Sequence, residues 1–125
     1  MNENEISYEI IGSALQVHSE LGPGLLESVY EKSLGLDLMM KDFRVESQVG
    51  IPMAYKGLNF DFGFRLDLLV NDLVIVEIKS VETIHDIHYK QLLTYLRLSD
   101  KKLGILINFN SLHLRSSIKR VVNRL

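Results

Sequence analysis

The sequence predicts an α/β domain in which one mixed sheet is flanked by helices. Two changes of hydrophobic period predict it. Helical spacing up to about Met40 gives way to strand-like runs between Val45 and Lys79, and a second helical stretch then precedes the apolar run Leu103–Ile107. The resulting order is α-α-β-β-β-α-β with a short final element, the pattern of a sheet covered by helices. With 125 residues, 46% of them hydrophobic and 24% charged, the chain has the size and balance of one globular domain over 1–125.

The first segment places Ile6, Ile10, Ala14, Val17 and Leu21 at spacings of three and four, with Glu9, Gln16 and Glu20 on other faces. Gly22-Pro23-Gly24 breaks that helix. A second helix is expected from about Leu25 to Met40, with Leu26, Val29, Tyr30, Leu34 and Leu38 toward the core, closed by Lys41-Asp42. Val45, Val49, Ile51 and Met53 suit an extended segment. Gly50 and Pro52 within it favour an edge strand over a central one. Lys56-Gly57 reads as a turn, and Phe60, Phe62 and Phe64 alternate with polar residues or glycine as in a half-buried strand.

The next two runs, Leu66–Val70 and Leu73–Lys79, are apolar on both faces, as central strands covered on both sides would be. Thr83 is the expected N-cap of a helix that has Asp86 near its positive end and continues through Gln91 and Tyr95 to about Leu98. Leu103–Ile107 is a further buried strand, and the tail from Leu112 is short and ambiguous.

Composition narrows the function. There is no cysteine, which excludes disulfides, zinc thiolate sites and cysteine nucleophiles and makes a cytoplasmic location the expectation. Met1–Glu5 is acidic and lacks the apolar region of a secretory signal. No apolar stretch approaches the ~20 residues of a membrane span. A net charge of −2 argues against a protein that coats nucleic acid by electrostatics alone. It leaves room for a nuclease, because carboxylates that hold metal lower the net charge themselves.

The chemistry-bearing residues cluster around Val76-Glu77-Ile78-Lys79. Alternation sends Glu77 and Lys79 to the same face at the end of an apolar strand, where each needs a partner, a metal or water. Asp67 lies on the preceding strand across a short turn, so two carboxylates and a lysine can converge. That set suits a hard divalent cation, with the lysine acting on an attacking water or on developing negative charge. It equally suits a strand-end ion pair.

Parity tests the choice. A two-residue turn at Asn71-Asp72 would put Asp67 and Glu77 on opposite faces. A shared site therefore requires an odd loop or a bulge between them, with a three-residue loop and Asn71 or Asp72 in the left-handed region as the natural solution.

These residues carry a resemblance. The run Leu21–Glu31 contains Gly24-Leu25-Leu26-Glu27-Ser28-Val29-Tyr30. It is followed in order by Arg65–Val70, Val74–Lys79, His88–Leu96 and Leu103–Phe109. Together they resemble the GxxExxY family of the PD-(D/E)XK nuclease superfamily over nearly the whole chain, with Leu66 in place of a small residue before the aspartate. The resemblance implies a restriction-endonuclease-like α/β core and a Mg²⁺- or Mn²⁺-dependent nuclease acting on nucleic acid, with DNA the expected polymer. It implies that Asp67 and Glu77 hold the metal, that Lys79 acts on the water, and that Glu27 reaches the same site as a further metal or water ligand. Gln91 and Tyr95 match a Q-x-x-x-Y helix motif that shapes the active site.

Read from the residues alone, Glu27 is an acid favoured by a helix dipole, Tyr95 and Tyr30 are packing residues, and Gln91 shares a helix face with Tyr95. His85 and His88 have a metal-compatible spacing but no third nitrogen or sulfur ligand near them, and His88 is expected to face the active-site cleft. Arg115, Lys119, Arg120 and Arg124 form a basic stretch that is either a solvated face or a phosphate-contacting strip. The rival to a nuclease is a nuclease-fold nucleic-acid-binding or regulatory module with little turnover. The small size favours it slightly, although homodimerisation would supply more surface.

Overall fold

The computed structural model describes all 125 residues. Helix α1 (Glu3–Leu21) begins at a capping box. The Asn2 side chain accepts from the Glu5 amide at 2.9 Å, and the Glu5 carboxylate accepts from the Asn2 amide at 3.0 Å. Its buried stripe is Ile6, Ile10, Ala14 and Val17. The helix stops at Gly22, whose φ of 73° suits glycine and whose amide bonds the His18 carbonyl. Helix α2 (Glu27–Met40) buries Tyr30, Leu34 and Leu38. Leu26 and Val29, expected in the core, are 74% and 38% exposed. Leu26 is the extended N-cap residue and has not entered helical phase, while Val29 lies off the i, i+4 stripe that starts at Tyr30.

Five strands form one mixed sheet in the order β1 (Val45–Tyr55), β2 (Leu58–Val70), β3 (Val74–Lys79), β4 (Leu103–Asn108), β5 (Ile118–Val122). Neighbours are antiparallel except β3 and β4, which are parallel and joined through helix α3 (Asp86–Ser99). A short 3-10 turn, Leu114–Ser117, precedes β5. Helices α1 and α2 cover one face over a core that includes Leu68, Val76, Ile78, Ile105 and Ile107. Helix α3 covers the other through Leu92 and Leu96, packed with Leu66, Leu69, Ile75 and Leu106. No helix is long and apolar enough to cross a membrane.

Two local expectations are corrected. The N-cap of α3 is His85, not Thr83. The His85 amide donates to Nδ1 of His88 at 3.0 Å, so the side chain three residues on reaches back to the N-cap backbone, the reciprocal half of a capping box. Of the three phenylalanines of β2 only Phe64 is half-buried, stacked on Tyr95 with ring centroids 4.5 Å apart, whereas Phe60 and Phe62 are 42% and 71% exposed. The β1–β2 hairpin runs on beyond the part of β2 that pairs with β3. Its register shifts near Pro52, and the ring of Phe62 lies over the bare backbone of Gly50. As expected, β1 is the edge strand and Lys56-Gly57 is its turn.

The loop between β2 and β3 is odd. Val70 pairs with Val74, leaving Asn71, Asp72 and Leu73, and both Asn71 and Asp72 are left-handed with φ of 52° and 56°. Parity therefore sets Asp67 opposite Glu77.

The corner between α1 and α2 is fixed by one side chain. Tyr30 is fully buried and stacks on Phe109 with centroids 4.4 Å apart. Its hydroxyl donates to the Gly22 carbonyl at 2.6 Å and accepts from the Leu25 amide at 3.1 Å. Tyr30→Phe keeps the stack and orphans both backbone groups. It should cost about 1–2 kcal/mol, read as a lower urea midpoint at unchanged m-value. An unchanged midpoint would show that water replaces the hydroxyl at this corner.

Candidate metal centre

The site is a gap in the sheet. Strand β3 pairs with β4 along its whole length, from Val74 to Lys79. With β2 it pairs at only three positions, ending at Leu68–Val76. Asp67 and Glu77 are the next opposed residues, and there the strands part. The Asp67 amide donates to Oε2 of Glu77 at 2.8 Å, and the Ile78 amide donates to Oδ2 of Asp67 at 2.8 Å. Each carboxylate replaces a ladder carbonyl that has moved away, so the two backbone donors are satisfied by the two acids.

The parting has a local cause in β1. Gln48, in mid-strand, has a φ of 53°. The register is the same on either side of it, with Ser47 opposite Leu68 and Val49 opposite Leu66. The faces are not. Val45 packs into the α1–α2 core, while Val49 and Ile51, of the same parity, pack on the α3 side. Likewise Leu68 belongs to one core and Leu66 to the other. Both strands reverse their inward sense at the Gln48–Asp67 position. Asp67 thus projects toward β3 within the gap, at the point where β2 turns over.

Burial dominates the electrostatics. Desolvation pushes the Asp67 carboxyl above the ordinary aspartate range, and nearby Glu31 adds to the rise against the Ile78 hydrogen bond and Lys79. Glu77, 6% exposed, is pushed up to about 8, first by burial and then by Asp67. Burial, followed by Glu77 and Asp67, also raises the Tyr95 phenol. Lys79 makes no ion pair within 4.0 Å, so the strand-end salt bridge that the sequence equally allowed is not formed.

The remaining sequence-predicted residues are distributed around this pair. Glu27 is exposed, and its Oε2 accepts from the Ser80 amide at 3.1 Å, one residue beyond Lys79. Ser80 Oγ donates to the Leu25 carbonyl at 2.7 Å, so the start of α2 clamps the end of β3. Tyr95 lies beside the acids, and Gln91, one turn earlier on α3, is exposed. His85 and His88 cap α3, with the His88 Nδ1 already engaged.

Two residues were missed. Glu31 is buried on α2, where it accepts from Ser47 Oγ at 2.9 Å and from Gln48 Nε2 at 2.7 Å. The same Gln48 amide nitrogen lies 3.4 Å from Asp67 Oδ1, linking the third acid to the pair. An acid four residues after Glu27 and inside the Tyr30–Leu34–Leu38 stripe is a legible signal. No signal marks Gln48, because side chains other than glycine rarely take its φ.

The donor set fits a hard divalent cation. Asp67 Oδ1 has only the long Gln48 contact, and Glu77 Oε1 has no hydrogen-bond partner. No three or more acidic or histidine side chains converge closely enough to hold an ion by themselves. One free and one weakly held carboxylate oxygen, with water and phosphate oxygens, would make the oxygen-rich donor set that hard divalent cations take.

Fold and site together define a nuclease-type α/β domain with two acids and a lysine at a broken strand pair. A family model for the PD-(D/E)XK nuclease superfamily matches residues 4–121, and the chain belongs to that superfamily. Its nucleases generally use divalent metal ions. Comparison with curated proteins and with solved structures yields no match.

The raised carboxyls give the metal-free protein a defined pH dependence. Above pH 4.5 the unfolded chain releases the Glu77 proton, while the native state keeps it up to about pH 8. Native stability therefore falls as pH rises through that window and levels off above it, by up to a few kcal/mol. Glu77→Gln retains an acceptor for the Asp67 amide and removes the titration. It should flatten most of the dependence and raise the melting temperature near pH 8.5. A wild type whose stability rises between pH 5 and 8 in chelator would contradict this account of the site.

Proposed function

We propose that this protein is a divalent-metal-dependent nuclease that hydrolyses phosphodiester bonds, with DNA the expected polymer, and that it belongs to the GxxExxY branch of the superfamily. The observation that carries the reading is Glu77 Oε1, which has no partner, and Asp67 Oδ1, held only by the 3.4 Å contact from Gln48, beside an unpaired Lys79. A purely structural ion pair would have consumed the lysine.

Asp67 and Glu77 would hold a Mg²⁺ or Mn²⁺ ion, which supplies Lewis acidity toward a phosphoryl oxygen and a more acidic water. Lys79, on the strand position after Ile78, presents its ammonium to the attacking water or to charge that develops on the phosphoryl oxygens. Glu31, through Gln48, fixes the direction of Asp67. Glu27 acts as a positioning residue, because its hydrogen bond to Ser80 fixes the end of β3 just past Lys79. Tyr95, stacked on Phe64, closes the α3 side of the acids, and Gln91 lies one turn along the same helix.

Labelled single-stranded, duplex and branched DNA, and RNA, incubated with Mg²⁺ or Mn²⁺, test the reading. Wild type should cut at least one polymer, and chelator should stop it. Lys79→Ala should lose at least ~10²-fold in rate while keeping the wild-type melting temperature and its metal-induced rise. A fully active Lys79→Ala protein would remove the lysine from the mechanism. Binding without cleavage by wild type would favour the non-catalytic module.

A further inference from the structure

The sheet carries a second polar feature one strand away from the acids. Register sets Glu77 opposite Leu106, and Leu106 opposite Lys119 on β5. Directly opposed residues share a face, so the three form a row across β3, β4 and β5 on the side covered by α3. Val121, two residues after Lys119, packs into the α3-side core and confirms that face, while Ile118 and the Arg120–Asn4 hydrogen bond belong to the other. The basic stretch is therefore divided between faces, and only Lys119 joins this row. At a strand spacing of about 4.8 Å, its backbone stands roughly 10 Å from that of Glu77.

On the Leu106–Lys119 side of this row, one strand away from Glu77, lies a cavity of about 290 Å³, at the carboxyl ends of the parallel strands β3 and β4, where the chain leaves one for α3 and the other for the 3-10 turn. Leu106 and Ile84 give it apolar surface and Tyr89 an aromatic ring, while Thr83, Glu82 and Lys119 bring a hydroxyl, a carboxylate and an ammonium. Lys119 and Glu82 form no ion pair within 4.0 Å. Neighbouring hydroxyls are committed, with Ser117 Oγ donating to Ser111 Oγ at 2.9 Å and Ser111 Oγ to the His113 carbonyl at 3.1 Å.

We propose that this cavity receives one unpaired nucleotide adjacent to the scissile phosphate, so that the substrate reaches the acids as a single strand or as the frayed end of a duplex. The inference rests on the nuclease reading and specifies its substrate. The lining supplies the parts of a nucleotide with counterparts: Lys119 for a phosphate, Tyr89 and the apolar floor for the face of a base, Glu82 and Thr83 for its polar edge. A stacked, paired duplex cannot place one of its units in so small a recess, whereas an unstacked nucleotide can.

Initial rates with Mg²⁺ on a labelled single strand, and on the same sequence in a closed circular duplex, test it for wild type, Lys119→Glu and Tyr89→Ala. Lys119 is exposed, so its variant should melt as wild type does. The single strand should be cut at least ~10-fold faster than the closed duplex. Lys119→Glu should raise KM on the single strand by about 10-fold with kcat nearly unchanged, the signature of lost ground-state binding. Equal cutting of both polymers, or an unchanged KM in both variants, would overturn the pocket assignment while leaving the nuclease reading intact. A nucleoside 5′-monophosphate that binds as tightly as the strand in calorimetry would make the cavity a small-molecule site and also overturn it. Failure of wild type to cut any polymer would remove the nuclease reading, and this proposal with it.

Discussion

Backbone amides left without ladder partners must find acceptors, and at the Asp67–Glu77 position those acceptors are carboxylates. Where β2 leaves β3, the amides of Asp67 and Ile78 are met by Glu77 Oε2 and Asp67 Oδ2, each at 2.8 Å. Burying two acids this close opposes their ionisation, and the backbone donors offset only part of that penalty. The remaining imbalance is one that a bound cation would relieve. One local break in a sheet thus produces both the exposed carboxylate oxygens and the electrostatic demand for positive charge.

The rest of the fold holds that break in place. On one side Gln48 takes a left-handed φ of 53° and reverses both strands of the hairpin. Its side chain also reaches from Glu31 to Asp67. On the other side β3 is pinned to β4 through Lys79, so the strand bearing Glu77 cannot follow β2 outward. The start of α2 secures the far end, with Glu27 and the Leu25 carbonyl both bonded to Ser80. Tyr30 then ties the same turn to Gly22. The Gly24–Glu27–Tyr30 motif accordingly acts as a clamp between the α1–α2 corner and the strand that carries the acid and the lysine.

Much of this was legible in the sequence because it follows from period and parity. Helical and strand periods located the three helices and the strands up to β4, whereas β5 lay in a tail too short to show a period, and the need for Asp67 and Glu77 to meet required an odd loop, which Asn71–Leu73 provides. The less legible features depend on tertiary context. Gln48 adopts a conformation that local propensity disfavours, so nothing in the chain announces the reversal at Asp67. Phe60 and Phe62 alternate like core residues but lie on a hairpin that outruns the part of the sheet with partners to bury them. Thr83 is a better cap by propensity than His85, yet the His88 ring supplies the bond to the His85 amide. Glu31 was recoverable as an acid inside an apolar helical stripe, but its tie to Asp67 runs through Gln48 and so depends on the fold.

If the nuclease reading holds, a divalent cation binds at the break between β2 and β3. Titrating ¹⁵N-labelled protein with substoichiometric Mn²⁺ reads this directly, because the paramagnetic ion broadens the amides nearest to it. The amides of Asp67 and Ile78, both bonded to the two carboxylates, should lose intensity first, followed by those flanking Glu77 and Lys79. Broadening that begins at His85 and His88, or that spreads evenly over the surface acids while Asp67 and Ile78 keep their intensity, would contradict it.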